Sequence, residues 1–321
     1  MHDRASDTQP DRPRRHHSAA PPWARHALRG ARWALRAHLG LTVASLVALA
    51  SVGVGAMPEW LAQEPYATAY ELGWRYTGPA CIALGVAAVG AHAAGRIGAW
   101  RALAILLLGV GIAYAAELSS TSTGWPFGHY AYTSMLGPLT FGLVPLAVPL
   151  SWCLMAYASL ALAARIVPQG TGGLKDRLAL AGVGALALLA WDLAMDPAMS
   201  RATAHWTWEG TGPLGGGPVA SWGGWLGTGA AIGLAFLAVA APDRWRRDVA
   251  PDALAPALYA ANGAFAVVLC ALAGLWPAAV AGTAAMGALL GAAHRGRERL
   301  TSGSVGGPGR PDPREASVTL A

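Results

Sequence analysis

The sequence predicts an all-α polytopic membrane helix bundle of about eight transmembrane helices, with both termini cytoplasmic. Three observations carry that reading. The 321 residues are 54% hydrophobic and only 12% charged, about half the roughly 25% charge of an average soluble domain, and mean hydropathy is +0.38. Apolar runs recur along the whole chain, each near the roughly 20 residues a helix needs to cross the hydrocarbon core. The Lys and Arg residues fall in alternate segments between those runs, as in a chain that weaves through a bilayer. Too little polar surface remains for a water-soluble globule.

Residues 1–21 are polar, proline-bearing and arginine-rich, the composition of a disordered tail. Residues 22–38 place Trp23, Arg25, Arg29, Arg32, Trp33 and Arg36 at helix-compatible spacing, which predicts an amphipathic helix resting on anionic headgroups. Residues 1–38 are thus read as a basic tail plus an interfacial helix. The membrane domain, 39–294, holds apolar runs at about 39–57, 78–95, 101–118, 137–164, 178–196, 222–241, 254–273 and 275–294. The fourth carries Pro138, Pro145 and Pro149 and is predicted as a kinked helix, tolerable where neighbours satisfy the freed carbonyls. Only Leu275-Trp276-Pro277 separates the last two, a tight helical hairpin. Residues 295–321 are polar, glycine-rich and basic, a second disordered tail. Cys81, Cys153 and Cys270 lie in different apolar runs without the spacing of a zinc site or redox pair, so they read as small apolar packers.

Charge sets the orientation. With eight spans, every Lys and Arg except Arg75 and Arg201 lies on the N-terminal side. The positive-inside rule then makes that side cytoplasmic and the protein a multi-pass component of the cell membrane.

Span three rises from Arg101 and ends at Glu117; span five rises from Arg177 and ends near Asp196. Asp192 and Asp196, four residues apart, share one helix face, with Asp192 roughly 6 Å deeper. The three carboxylates are therefore expected at similar depth on the outer side, under the loops 119–136 and 197–221. Ionisable residues inside a span are functional candidates by default. A carboxylic acid kept protonated near neutral pH is a general acid. For Asp196, beside Pro197 at a helix end, a headgroup-zone or loop-capping role is an equal alternative.

The loops above carry aromatics. Trp125, Phe127, Tyr130 and Tyr132 surround His129, and Trp206 and Trp208 flank Thr207; Trp152 and Trp225 lie in spans four and six. An interfacial aromatic belt is the ordinary explanation. Tryptophan faces also stabilise a cation, so acids beside aromatics in an apolar chamber suit protonation of an alkene and shelter of the carbocation formed. His129 and His205 show no tight ligand spacing with the carboxylates, and no metal is expected. The glycines of 210–217 lack the strand, Lys and helix start of a phosphate loop.

Taken together, Glu117…Gly124-Trp-Pro-Phe-Gly-His-Tyr-Ala-Tyr132-Thr, Pro145…Pro149-Leu-Ser-Trp152, Trp191-Asp192…Asp196-Pro197 and Trp206-Thr-Trp208-Glu…Gly224-Trp225 resemble the integral-membrane carotenoid hydratase family. That family includes the hydratases of bisanhydrobacterioruberin and of γ-carotene-type substrates. The resemblance covers roughly residues 40–290 and departs at 214–222, where this chain has Leu214-Gly-Gly-Gly217 and Ser221-Trp222 in place of aromatics and an Asn. It implies cofactor-free addition of water to the terminal 1,2 double bond of an acyclic carotenoid. The expected partners are a long acyclic carotenoid, water and membrane lipid, with other carotenoid enzymes as candidate neighbours and no nucleic acid.

The chemistry assigns Asp192 or Glu117 as acid and Asp196 or His129 as the group positioning water. Trp125 and Trp206 would shield the cation, and Phe127, Tyr130, Tyr132, Trp152, Trp208 and Trp225 would complete the substrate site. Three other readings stand beside it. A carotenoid cyclase begins with the same protonation. A proton-coupled transporter also buries carboxylates, although the chain shows no inverted repeat. A structural partner in a pigment membrane would leave pigment chemistry indifferent to Asp192.

Overall fold

The computed structural model describes residues 21–54 and 58–302. Its helices are α1 (Pro22–Val52), α2 (Tyr66–Ile97), α3 (Ala99–Thr123), α4 (Ala147–Ile166), α5 (Leu174–Pro197), α6 (Ala220–Val239), the single turn α7 (Pro242–Arg244), α8 (Leu254–Leu272) and α9 (Trp276–Ser302). All but α7 are long and apolar enough to cross a membrane. Eight spans make this a multi-pass membrane protein, and an even number returns the chain to the side on which it starts.

The bundle is built around α4. Its sequence is apolar on every face, with alanines at 156, 158, 161, 163 and 164 between leucines at 154, 160 and 162, and a helix of that kind has no face to give to water. It is accordingly buried nearly throughout and packs against α2, α3, α5, α8 and α9. Small residues set the close contacts. Gly229 and Gly233 of α6 face Ala185 and Ala181 of α5, and a Cβ on either glycine would lie 3.3 Å from the opposing alanine. Two small-x-x-x-small rows thus bring the α5 and α6 backbones together, the usual basis of helix association where lipid removes the hydrophobic drive.

On the side that holds most of the basic residues, three arginines tie the loops. Arg246 donates to both Asp176 carboxylate oxygens, at 2.5 and 2.8 Å, and to the Pro168 carbonyl at 3.0 Å. Arg165 donates to the carbonyls of Ala250 and Asp252, and Arg96 donates to the Asp252 side chain.

The structure departs from the sequence reading at several boundaries. The basic segment 22–38 and the first apolar run form one continuous helix, α1, because no proline follows Pro22 before Val52 and its alanines, leucines and arginines are strong helix formers that carry it across Gly30 and Gly40. The kinked helix expected from 137 begins only at Ala147. Residues before it form a hairpin of β2 (Leu139–Thr140) and β3 (Val144–Pro145), since Pro145 cannot donate within a helix interior, whereas Pro149 in the first turn of α4 needs no partner. Helix α3 continues past Glu117 to Thr123. Helix α9 runs on to Ser302. The tails expected at 1–20 and 303–321 lie outside the described residues.

One pairing was not foreseen at all. Strand β1 (Tyr130–Tyr132), between α3 and α4, pairs antiparallel with β4 (Trp206–Trp208), between α5 and α6, in the register Tyr130↔Trp208, Ala131↔Thr207, Tyr132↔Trp206. Alternation along each strand puts all four aromatics on one face and leaves Ala131 and Thr207 exposed on the other.

Candidate functional site

The aromatic face of the β1–β4 ladder lies over the ends of α3 and α5. Getting β1 there depends on the turn after α3. Gly124 closes the helix with a left-handed φ of 82°, and the His129 ring occupies the place a Cβ would take. The Ser120 hydroxyl accepts from the Phe127 amide at 3.1 Å and donates to the Gly128 carbonyl at 3.0 Å, clamping the aromatic turn to its own helix. Gly224 of α6 leaves room for Phe127, whose ring would lie 2.5 Å from a Cβ there.

Two carboxylates receive the ladder's polar groups. Glu117 Oε2 accepts from the hydroxyls of Tyr130 and Tyr132, the latter at 2.6 Å, and Oε1 accepts from Trp152 Nε1 at 2.7 Å. Asp196 Oδ1 accepts from Trp206 Nε1 and Trp208 Nε1, both at 2.8 Å, and Oδ2 accepts from the Gly217 amide at 2.5 Å. The glycine-rich segment after β4 now has a structural reason. A Cβ on Gly216 would fall 2.3 Å from Asp196 Oδ2, and one on Gly217 would fall 2.5 Å from the Trp208 ring. Burial, with Glu117 beside them, pushes both phenols well above their ordinary pKa, so Tyr130 and Tyr132 keep their protons at neutral pH.

The two partner sets differ in kind. Indole and amide N–H groups only donate, so the three around Asp196 require acceptor oxygens, the pattern of a carboxylate. The Tyr hydroxyls around Glu117 donate or accept as they rotate, so Glu117 can hold a proton without orphaning a neighbour.

Both carboxyl groups line a cavity of about 470 Å³, within the range of small-molecule sites. Its walls near them are aromatic: Trp152 stacks on Trp225 at 3.9 Å, Phe127 stands 5.7 Å from Trp152, and Tyr130 stands 4.6 Å from Trp208. From there it extends as an apolar channel between the C-terminal part of α1 (from Leu41), the N-terminal part of α2 (from Ala69) and the C-terminal part of α8 (from Asn262).

Of the residues singled out from the sequence, Glu117, Asp196, Phe127, Tyr130, Tyr132, Trp152, Trp206, Trp208 and Trp225 line this cavity. Asp192, His129 and Trp125 are not among its lining residues. Asp192 is buried a turn behind Asp196, with Oδ1 lacking a partner among the described residues. Trp125 is 73% exposed, and His129 packs against Gly124. Cavity residues that sequence reasoning did not place there include Trp191, Asn262, Thr203 and His205. The signal for the ladder was present: Tyr-x-Tyr and Trp-x-Trp carry the period of two that marks a half-buried strand. Among the described residues no group of three or more His, Cys, Asp or Glu is placed to hold a metal ion.

A family model described as carotenoid biosynthesis protein matches residues 77–289. The chain belongs to that family. The match runs from within α2 to within α9, so it takes in both carboxylates, the ladder and the aromatic wall. Membership makes a carotenoid the substrate class, and an apolar channel ending in polar groups suits such a molecule. No curated protein matches the chain, and no solved structure does.

Proposed function

We propose that this carotenoid biosynthesis protein is a hydratase that adds water to the terminal 1,2 double bond of an acyclic carotenoid. The observation that carries the reading is the unlike bonding of two carboxyl groups at one end of an apolar channel. Glu117, with hydroxyl neighbours that accept or donate, is the acid. It protonates C2 of the terminal isopropylidene group, which leaves a tertiary cation at C1. Asp196, held as a carboxylate by three N–H donors, is a fixed countercharge for that cation, preorganised before the reaction begins. The faces of Trp152, Trp206 and Trp225 add cation–π stabilisation and keep bulk water out. Water then adds at C1 and loses a proton, giving a tertiary alcohol with no cofactor.

The channel between α1, α2 and α8 receives the polyene, while the ladder side faces the aqueous loops that supply water. Asp192, behind the wall, does not touch substrate. The basic residues concentrated on the opposite side support a site on the outer side of the cell membrane.

Expression in a host that makes an acyclic carotenoid tests the reading. The wild-type protein is expected to give a product heavier by one water. Glu117→Gln and Asp196→Asn are expected to lower its yield roughly 100- to 10,000-fold. An isomeric product of unchanged mass would replace hydratase with cyclase, which shares the protonation step. Unaltered pigment from the wild type would refute the enzymatic assignment.

A further inference from the structure

Hydration needs a proton acceptor as well as a donor. Glu117 is committed to giving a proton, Asp196 is held as the countercharge by three N–H donors, and the phenols of Tyr130 and Tyr132 hold their own protons. Of the other titratable side chains that line the cavity among the described residues, Tyr70 and Cys81 belong to α2, along the channel, and His205 adjoins Trp206 of the ladder.

Its position is fixed by backbone bonds on both sides. The π-helical turn Ala198–Ala202 ends α5, and the His205 amide donates back to the Met199 carbonyl at 2.8 Å. The His205 carbonyl accepts from the Thr133 amide at 2.9 Å and from the Thr133 hydroxyl at 3.0 Å. His205 thus sits at the head of β4, next to Trp206, whose indole holds Asp196.

Thr203 bonds one of its ring nitrogens. The Thr203 hydroxyl lies 3.2 and 3.3 Å from the carbonyls of Ala198 and Met199 and 2.6 Å from His205 Nδ1. In the tautomer in which the Thr203 hydroxyl donates to one of these carbonyls, its oxygen lone pair receives Nδ1–H and Nε2 carries no hydrogen. Nε2 has no hydrogen-bond partner among the described residues.

We propose that His205 Nε2 is the base that takes the proton from the adding water, with Thr203 as its positioning residue. This rests on the hydratase reading and supplies a residue that reading does not name. As the C1=C2 π pair forms a C–H bond with the Glu117 proton, C1 becomes cationic. A water lone pair then forms the C1–O bond, and the electron pair of one O–H bond stays on oxygen as its proton moves to Nε2. The imidazolium releases that proton to water on the loop side, and Glu117 regains one from water, so the sum is alkene plus water to alcohol. Burial holds the His205 pKa down at about 4, so the ring is free base at neutral pH and gives up its proton readily after each turnover.

The test separates proton transfer to carbon from capture of water. Purified protein in lipid nanodiscs is incubated in D2O with a carotenoid bearing an isopropylidene end, and both alcohol and deuterium in recovered substrate are measured. Wild type is expected to form alcohol carrying deuterium at C2. His205→Phe, and His205→Gln should the Phe variant fail to insert, are expected to lose hydration roughly 100- to 10,000-fold while recovered substrate still gains deuterium. Thr203→Val is expected to lower the ratio of hydration to exchange without lowering exchange. Hydration by both His205 variants at the wild-type rate would overturn the proposal. So would joint loss of exchange and hydration in a variant that still binds carotenoid, which would put His205 in the acid step or in the site's architecture. A wild type that neither hydrates nor exchanges would instead refute the hydratase reading, and this one with it.

Discussion

Tyr132 and Trp206 face each other across the β1–β4 ladder, and each hydrogen-bonds a carboxylate from a different helix: Tyr132 bonds Glu117 of α3, and Trp206 bonds Asp196 of α5. One cross-strand pair therefore couples the positions of two acidic groups whose helices are separated in sequence by α4. The ladder is short, but its register decides whether the two carboxyl groups share a cavity.

The Tyr pair is expected to act as a unit. Tyr130→Phe and Tyr132→Phe each remove one donor from the same Glu117 oxygen, at about 0.5–1.5 kcal/mol of stability apiece. Each single change is expected to lower product yield roughly tenfold, and the double change by more than the product of the two, because in each single variant the remaining hydroxyl still serves Glu117 and in the double variant none remains. Product ratios from the four proteins in one carotenoid-producing host check this.

Gly217→Ala is expected to disable the site with little change outside it. The added methyl would meet the Trp208 ring at 2.5 Å, which displaces that ring and withdraws both the indole and the Gly217 amide from Asp196. A stability loss of about 1–3 kcal/mol and at least a tenfold loss of product are expected. Gly210→Ala, where nothing lies within 4 Å of the new Cβ, is the matched control and is expected to be silent in both thermal unfolding and product assays.

At the α5–α6 contact, size alone is expected to matter. Gly233→Ala adds one methyl 3.3 Å from Ala181 and asks the helices to part by a few tenths of an ångström. Gly233→Leu forces them apart and is expected to lower the unfolding temperature in detergent by several degrees more than Ala does. Equal unfolding temperatures for the two variants would count against close α5–α6 packing.

His205 gives a pH dependence of defined sign. Burial lowers its pKa from 6.5 to about 4. Between those values the unfolded chain binds a proton that the folded ring refuses. Stability is therefore full above about 6.5 and falls as pH drops toward about 4. Wild-type protein is expected to lose more thermal stability than His205→Gln across that window, and parallel melting curves would remove the effect.

Much of the fold was legible in the chain. The eight spans could be read because hydropathy over some twenty residues is a local property that the bilayer selects directly. Glu117 and Asp196 could be assigned to one side because each closes an odd-numbered span. The segment before α4 was misjudged because an apolar run cannot by itself distinguish a helix from a short hairpin, and Pro145 decided for the hairpin. Asp192 was read as a partner of Glu117, yet the cavity passes it by; the side of a helix that meets a cavity depends on which neighbours pack around it.

What the sequence by itself determined was the weave of the chain, the depth of its acidic residues and the stock of aromatics above them, since each follows from residue types at local spacing. Only the tertiary structure decided that the Tyr-x-Tyr and Trp-x-Trp segments pair, that Glu117 is bonded by two hydroxyls and an indole while Asp196 is bonded by N–H groups alone, and that His205 rather than His129 lines the cavity. Those outcomes depend on contacts between segments far apart in the chain. They rest on α4, which packs against both α3 and α5, and no local pattern encodes their register.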